Sequence, residues 1–214
     1  MNIFVTGTDT GVGKTIISSW ICRHSGAKYW KPVQTGADSD SRAVRHISPR
    51  TVIIPEAYKL KAPLSAYDSA KLENATIEPA KIIARIPNNA VIEGAGGVLV
   101  PIAEGFFLAD LIQQVNCKVV VVARSKLGFQ NHIYLTIEAL MRRNIDVLGI
   151  VINSHSDFVP TIERFSGVKV LQVFPWSKRD IVRTISATVL PREISDVIEP
   201  MHIRLPTDIP GEHS

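Results

Sequence analysis

Nine residues near the N-terminus carry the strongest chemical signal in the sequence. Residues 7–15 read GTDTGVGKT, after a short apolar run and before a helical pattern at residues 14–23. A glycine-rich turn between a strand and a helix is typical of a phosphate-binding loop, because backbone N–H groups and the helix N-terminus attract anions. Lys14 is expected to bind β- and γ-phosphate oxygens, and the Thr15 hydroxyl to coordinate Mg²⁺. The alternative is a glycine-rich turn without a ligand.

The spacing of this loop is one residue longer than the usual G-x4-G-K-[ST] pattern. Its context of strand, loop and helix nevertheless favours nucleotide binding over a plain turn. The residues expected to surround the phosphates are Asp9, Thr10, Gly11, Val12, Gly13, Lys14 and Thr15.

A second signal follows an apolar run at residues 90–92, which we interpret as a strand that ends in Glu93 and then in the glycine-rich residues 94–97. In open α/β sheets, ligands bind beyond the carboxyl ends of the strands. Glu93 is therefore expected to face the same place as the loop, where a carboxylate can hold Mg²⁺. The alternative is a turn with an incidental glutamate.

A third signal lies at the end of a second strand candidate, residues 29–33. If this strand is a parallel neighbour of the first, it brings Lys31 to the same edge, where an ammonium can neutralise an anion such as phosphate. The Thr35 hydroxyl could bind a polar substrate. The alternative for Lys31 is an ordinary surface lysine. Asp38 and Asp40 precede a helical pattern, and the pattern does not decide between metal binding and helix capping for either.

The elements that position these residues alternate along the chain. Continuous apolar runs at residues 119–123, 147–152 and 168–173 are strand candidates, and the segment between the first two, residues 131–144, has a helical pattern. Apolar strands that alternate with helices indicate a parallel sheet covered on both faces. We predict an α/β fold with a single-domain, doubly wound, mostly parallel sheet.

The domain boundaries follow from composition. Residues 1–198 are expected to form the domain, and residues 199–214 a tail that runs over the surface or is disordered, because it is rich in proline and poor in apolar residues. Residues 49–87 are irregular, with several prolines and one helix expected at residues 78–86.

Two later segments give weaker signals. Residues 125–132 read SKLGFQNH and connect a strand to a helix, so the helix start could bind an anion. Asn153 ends a strand and could contact a purine edge. Each also fits a structural role, as an ordinary loop and as a residue that shapes a turn.

Composition excludes several classes of protein. The 214 residues carry a formal net charge of +4 without a block of Lys and Arg, which argues against nucleic-acid binding. No apolar run is long enough to cross a membrane. Cys22 and Cys117 lack metal-ligand spacing, and we expect both to be buried thiols in a reducing compartment, hence a cytoplasmic protein.

Taken in order, these motifs resemble those of the dethiobiotin synthetase family of P-loop enzymes. The similarity includes GTDTGVGKT, WKPVQTG, IEGAGG, SKLGFQNH, the strand-end Asn153 and the Phe174-Pro175-Trp176 turn, and it covers residues 1 to about 177. The resemblance implies a ligase that uses ATP, Mg²⁺ and CO₂ or bicarbonate to close a ureido ring on 7,8-diaminononanoate, through a carbamate and a carbamic-phosphoric anhydride.

The resemblance also implies a role for each matching residue. Lys14 and Lys31 match catalytic lysines, and Thr35 matches a substrate-binding hydroxyl. The implied Mg²⁺ ligands are Thr15, Asp40 and Glu93. The implied adenine site consists of Asn153, Pro175, Trp176 and Ser177. Gly128 and Asn131 belong to a segment that reaches the substrate carboxylate of a partner subunit, so a homodimer with the substrate site at its interface is implied.

The sequence departs from the family at residues 63–67, which read PLSAY where a P-x-S-P-H-like stretch is usual. Two other classes share related loops. Switch ATPases of the partition and nitrogenase type usually carry a lysine where this chain has Asp9, which argues against them. Cobyrinate amidating synthetases add a glutaminase domain, for which 214 residues are expected to leave no room.

Overall fold

A computed structural model describes residues 1–154, 157–175 and 180–198. Within these residues the chain forms eleven strands and nine helices. The strands are β1 (Asn2–Gly7), β2 (Lys28–Trp30), β3 (Val33–Thr35), β4 (Ile53–Ile54), β5 (Tyr58–Leu60), β6 (Ala90–Gly97), β7 (Pro101–Ala103), β8 (Phe106–Phe107), β9 (Cys117–Arg124), β10 (Val147–Asn153) and β11 (Val170–Phe174).

The helices alternate with these strands for most of the chain. They are α1 (Lys14–Ser25), α2 (Asp40–Ile47), α3 (Ala66–Leu72), α4 (Pro79–Ile83), α5 (Leu108–Gln114), α6 (Phe129–Met141), α7 (Val159–Ser166), α8 (Ile181–Ala187) and α9 (Arg192–Ser195).

The central sheet has seven strands in the order β11-β10-β9-β1-β6-β2-β4, and all of its pairs are parallel. Helices cover both faces, since one apolar cluster contains Phe4 and Ile92 and a second contains Ile3 and Val91. Successive residues of a strand point to opposite faces, so a sheet buried on both sides needs continuous apolar strands. The predicted doubly wound, mostly parallel fold is confirmed.

The strand order corrects one expectation. We expected β2 beside β1, but β6 lies between them. The evidence is the pairing of Val91 in β6, which pairs with Ile3 of β1 on one side and with Tyr29 of β2 on the other. Consecutive strands are neighbours only about two-thirds of the time. The inserted strand places Glu93 between the phosphate-binding loop and Lys31.

Several element boundaries also differ from the predicted ones. β6 continues through the glycines to Gly97 instead of ending at Glu93, and its last residue pairs with Gly7 of β1. The predicted strand at residues 29–33 is divided into β2 and β3. Helix α3 was not predicted, although the Ser65 side chain caps it by accepting a hydrogen bond from the Asp68 N–H.

Three further expectations concern the whole chain. Cys22 is buried as predicted, whereas Cys117 is only half-buried. Within the described ranges, no helix has the length and apolar content needed to cross a bilayer. The predicted tail, residues 199–214, lies outside the described residues.

Candidate active site

The phosphate-binding loop connects β1 to α1 at the carboxyl edge of the central sheet. Gly13 takes the N-cap position of α1 with a φ of 102°, a conformation that favours glycine. The loop is anchored by a hydrogen bond from the Thr8 N–H to the Val122 carbonyl of β9. The sequence prediction of a strand, a glycine-rich loop and a helix is therefore confirmed.

Lys14 bends back over this loop. Its Nζ donates to the Asp9 carbonyl at 3.0 Å, and its side chain is buried. Burial lowers the pKa of Lys14 to about 8, although attraction by Glu93 opposes the effect and repulsion by Lys31 adds to it. Burial is the largest of these influences, so the net effect is a lowered pKa.

Thr15, Asp40 and Glu93 come together beside the loop from three different elements. The Thr15 Oγ1 lies 2.9 Å from Asp40 Oδ1 and 2.9 Å from Glu93 Oε1. Thr15 is in the first turn of α1, Asp40 is the first residue of α2, and Glu93 lies within β6. Of the two candidate aspartates, Asp40 contacts Thr15 and Asp38 lines the open cavity over the site, while Ser39 caps α2.

These three oxygens fit Mg²⁺. A hydroxyl has one proton, so Thr15 can donate to only one of the two carboxylates at a time. Mg²⁺ holds oxygens in a near-ideal octahedron at about 2.0–2.1 Å, which separates neighbouring ligands by about 2.9 Å. In the part of the chain that the structure describes, no three His, Cys, Asp or Glu side chains form a metal cluster, so water and phosphate oxygens would complete this site.

Lys31 also contacts both carboxylates. Its Nζ is 3.2 Å from Glu93 Oε1 and forms an ion pair with Asp40 Oδ2. Burial by itself lowers the pKa of Lys31, but attraction by Glu93 and then by Asp40 outweighs burial and raises the pKa above its usual value. Lys31 therefore offsets part of the negative charge of the two carboxylates in this structure.

Two residues of the site were not found from sequence. The Tyr29 hydroxyl donates to Glu93 Oε2 at 3.0 Å, and the Gln34 side chain accepts from the Asp40 N–H at 3.1 Å. A signal for Tyr29 existed, since it lies two residues before Lys31 and such residues share a face of a strand. Its partner depends on the register between β2 and β6, which the sequence does not reveal.

An open cavity of about 710 Å³ lies over these groups. Thr35, at the end of β3, also lines the cavity. So do Pro63, Leu64 and Ser65, which belong to the segment whose sequence differs from the usual family pattern. The lining residues that sequence analysis selected are Thr10, Gly11, Gly13, Lys14, Thr15, Lys31, Thr35, Asp40 and Glu93.

Asn153 lies under the phosphate-binding loop. It is fully buried at the end of β10, and its Nδ2 donates to the Val12 carbonyl at 2.9 Å. Its Oδ1 is buried without a hydrogen-bond partner among the described residues. Pro175 directly follows β11, while Trp176 and Ser177 lie outside the described residues, so the implied adenine site stays a prediction.

Gly128 and Asn131 lie at the start of α6, away from the open cavity. Gly128 is the N-cap of α6, with a φ of 85°, and Asn131 is in the first turn of the helix, which begins two residues before the predicted start. A separate cavity of about 320 Å³ lies between α6 and the loop, where Asp9, Leu99 and Leu135 line it. The implied role toward a partner subunit stays a prediction.

Comparison with known proteins gives matches over most of the chain. A family model described as an AAA domain matches residues 1–180. The ATP-dependent dethiobiotin synthetase BioD of Rhizorhabdus wittichii is 45% identical over 181 residues, which make up 81% of this chain and 86% of that protein. The protein of the same name from Paramagnetospirillum magneticum is 42% identical over 174 residues, or 79% of this chain and 85% of that protein.

The fold is shared more widely. The crystal structure of a ParA family ATPase from Chlorobium tepidum superposes with a TM-score of 0.56 at 14% identity, covering 91% of this chain and 97% of the other. Identity this low relates the folds alone. The two sequence relatives are more than 40% identical over most of their own length, and the chain therefore belongs to the ATP-dependent dethiobiotin synthetase family.

Proposed function

We propose that this protein carboxylates and cyclises 7,8-diaminononanoate with CO₂ and ATP to give dethiobiotin, ADP and phosphate. The observation that carries the proposal is the convergence of Thr15, Asp40, Glu93 and Lys31 beside the phosphate-binding loop. Phosphoryl transfer needs little more than positioned charges and a metal, and this cluster can supply both.

The nucleotide lies along the loop in this proposal. The backbone N–H groups of residues 9–15 surround its phosphates, and Lys14 leaves the Asp9 carbonyl to bind β- and γ-phosphate oxygens. Asn153 and Pro175, with Trp176 and Ser177, contact the adenine. Support for this location is the burial of Asn153 Oδ1 without a partner in the described chain, at the strand end next to the loop.

Thr15, Asp40 and Glu93 hold Mg²⁺. Held there, Mg²⁺ would supply positive charge to offset the negative charge that develops on the phosphates. Support for this ligand set comes from the matching 2.9 Å separations between Thr15 Oγ1 and the two carboxylates.

The reaction needs no covalent bond to the protein. One substrate amine adds to CO₂ and loses a proton, giving a carbamate. The carbamate oxygen attacks the γ-phosphorus and ADP leaves, which forms the mixed anhydride. The second amine then attacks the carbamoyl carbon and loses a proton, and phosphate leaves as the ring closes.

Lys31 stabilises the carbamate and the transferring phosphoryl group. Both are anions, and their approach to each other requires a nearby positive charge. When Asp40 and Glu93 bind the metal, the Lys31 ammonium becomes available to the carbamate and the phosphoryl group. The Thr35 hydroxyl lines the same cavity and hydrogen-bonds the substrate.

The substrate carboxylate is bound across a homodimer interface by the segment from Gly128 to Asn131 of the second copy. The leucine patch, defined as Leu99 and Leu135, supports this arrangement. Both side chains are at least half exposed, and both line the cavity between α6 and the phosphate-binding loop. Burying such a patch against a second copy removes apolar surface from water.

The test is direct. The purified protein is incubated with 7,8-diaminononanoate, bicarbonate, Mg²⁺ and either ATP or CTP, and dethiobiotin is measured by mass spectrometry beside the nucleoside diphosphate. We expect one diphosphate per dethiobiotin and no product when the diamine, bicarbonate or nucleotide is omitted. ATP hydrolysis without dethiobiotin would overturn the proposal.

A further inference from the structure

Glu93 uses its two carboxylate oxygens differently. Oε1 faces the open cavity, where it lies 2.9 Å from Thr15 Oγ1 and 3.2 Å from Lys31 Nζ. Oε2 points into the core, where it accepts a hydrogen bond from the Tyr29 hydroxyl at 3.0 Å. Glu93 is 1% exposed, so protein groups must satisfy both oxygens.

Tyr29 is held rigidly in this position. It lies on β2, where it pairs with Val91, and Val91 and Glu93 are two residues apart on the same face of β6. The ring is fully buried and packs in the apolar cluster that contains Ile17, Trp20 and Cys22. A phenol fixed by its ring can hold a carboxylate oxygen in one orientation.

We propose that Tyr29 is a positioning residue that keeps Glu93 a one-oxygen ligand and thereby makes the site selective for Mg²⁺. The inference rests on the metal site of the proposed function and adds a selectivity determinant to it. Tyr29 contacts neither metal nor substrate in this proposal, and it acts through Glu93 alone.

The selectivity follows from coordination chemistry. Mg²⁺ accepts single oxygens in a strict octahedron, whereas Ca²⁺ takes six to eight oxygens and readily binds both oxygens of one carboxylate. With the hydroxyl present, Oε2 is occupied and Glu93 offers only Oε1. Without it, Oε2 becomes free to turn toward the cation, which favours the larger ion over Mg²⁺.

The experiment measures ADP binding by calorimetry, without metal and with saturating Mg²⁺ or Ca²⁺, in the wild type and in Tyr29→Phe. The ratio of affinities with and without metal reports metal binding without any turnover. Loss of an outer-sphere partner typically weakens metal binding by about 10–100-fold. The Mg²⁺ ratio is the ADP affinity with Mg²⁺ divided by the affinity without metal, and the Ca²⁺ ratio is defined in the same way. We expect Tyr29→Phe to lower the Mg²⁺ ratio by about tenfold and to keep or raise the Ca²⁺ ratio. ADP binding without metal should stay unchanged.

The matched control is Tyr134→Phe. This substitution also removes a buried hydroxyl, and Tyr134 Oη has no hydrogen-bond partner among the described residues. We expect the control to leave both metal ratios unchanged. If Tyr29→Phe lowers the Mg²⁺ and Ca²⁺ ratios equally, or lowers neither, the proposal is wrong. If the wild type itself shows no effect of Mg²⁺ on ADP binding, the metal site of the proposed function fails instead.

A second variant protects the test against a folding defect. In the Glu93→Gln background the carboxylate charge is gone, so adding Tyr29→Phe should change the Mg²⁺ ratio by less than about twofold, as expected when one interaction has already been removed. If Tyr29→Phe alone does not fold, we expect the double variant to fold, since it leaves no buried carboxylate without a donor. Failure of the double variant to fold would show that the Tyr29 hydroxyl is needed for the stability of the core and not for positioning Glu93. This result would overturn the proposal.

Discussion

Lys31 lies between Asp40 and Glu93, so its charge offsets part of the charge of two carboxylates before any ligand arrives. At the scale of single residues, this contact separates two possible roles for the ammonium. One role is to hold the nucleotide in the ground state, and the other is to act on the charge that develops during reaction. A group that acts mainly in the transition state lowers kcat when it is removed, while ligand binding changes less.

We expect Lys31→Gln to lower kcat for dethiobiotin formation by about 10²-fold or more, similar to the loss of one donor that stabilises an oxyanion. ATP affinity without the diamine should change far less, because in the proposed arrangement Lys14 and the loop hold the phosphates. Steady-state rates and ATP calorimetry on the same preparation measure the two effects. A loss of ATP binding in proportion to activity would make Lys31 a nucleotide ligand.

Lys14→Ala should behave differently. Lys14 is the buried ammonium of the phosphate-binding loop, and its Nζ already lies 3.0 Å from the Asp9 carbonyl. We expect this variant to lose nucleotide-dependent turnover together with ATP affinity, because both depend on charge next to the phosphates. The measurements are ATP calorimetry and product formation, with circular dichroism as a control for folding. A well-folded variant with near-normal turnover would contradict the assignment.

The sequence revealed these lysines but not all of their neighbours. Lys14 and Thr15 belong to a motif whose chemistry is local, and Glu93 could be assigned because strand ends share one edge of a parallel sheet. Tyr29 and Gln34 could not be assigned, because their partners are set by strand register and by the path of the chain from β3 to α2. Hydrogen bonds between residues distant in sequence leave no periodic signal.

At the scale of elements, the phosphate-binding loop is supported from below by β10. Asn153 donates to the Val12 carbonyl, and a Cβ added at Gly13 would lie 2.0 Å from Asn153 Nδ2. This close approach explains a glycine at the start of α1 better than phosphate binding alone does. The loop and the end of β10 therefore form one packed unit.

We expect Gly13→Ala to lower the melting temperature and to weaken ADP binding by more than about tenfold, since the new methyl group must displace a buried amide or shift the loop. Thermal unfolding and ADP calorimetry measure both effects. The matched control is Gly167→Ala, where φ is 67° but, apart from the chain neighbours, no atom of the described residues lies within 4 Å of the added Cβ. The control should lower the free energy of unfolding by about 1–2 kcal/mol, the cost of a left-handed backbone with a Cβ, without any change in ADP binding. Equal behaviour of the two variants would contradict a role for the contact with Asn153.

The order of the elements was harder to predict than their existence. The apolar runs of β9, β10 and β11 and the helical pattern of α6 were recognisable, and their boundaries shifted by only a few residues. The insertion of β6 between β1 and β2 was not predictable, since strand pairing is decided by packing of the whole sheet. The glycines that extend β6 looked like a turn, because glycine usually weakens a strand.

At the scale of the whole molecule, the leucine patch of Leu99 and Leu135 tests the proposed homodimer. We expect Leu99→Glu and Leu135→Glu, singly or together, to shift the protein toward monomers at micromolar concentration, because a charge in a buried apolar interface is strongly unfavourable. Dethiobiotin formation should fall with dimer content, since in the proposed homodimer one copy completes the substrate site of the other. Analytical ultracentrifugation and product formation are the measurements.

The control for this prediction is Val189→Glu. Val189 is 80% exposed and follows α8, which packs on the opposite face of the sheet from α6. This variant should leave both assembly and activity unchanged. A wild-type protein that is monomeric and fully active at micromolar concentration would contradict the interface.

The ion pairs of Lys31 also bear on the order in which ligands arrive. A divalent cation that comes alone meets two carboxylates that already hold an ammonium, and it must displace that ammonium without compensation. A cation that comes attached to a triphosphate brings new negative charge, to which the displaced ammonium can turn. We therefore expect the resting protein to discriminate against free cations and to take up metal and nucleotide as one complex.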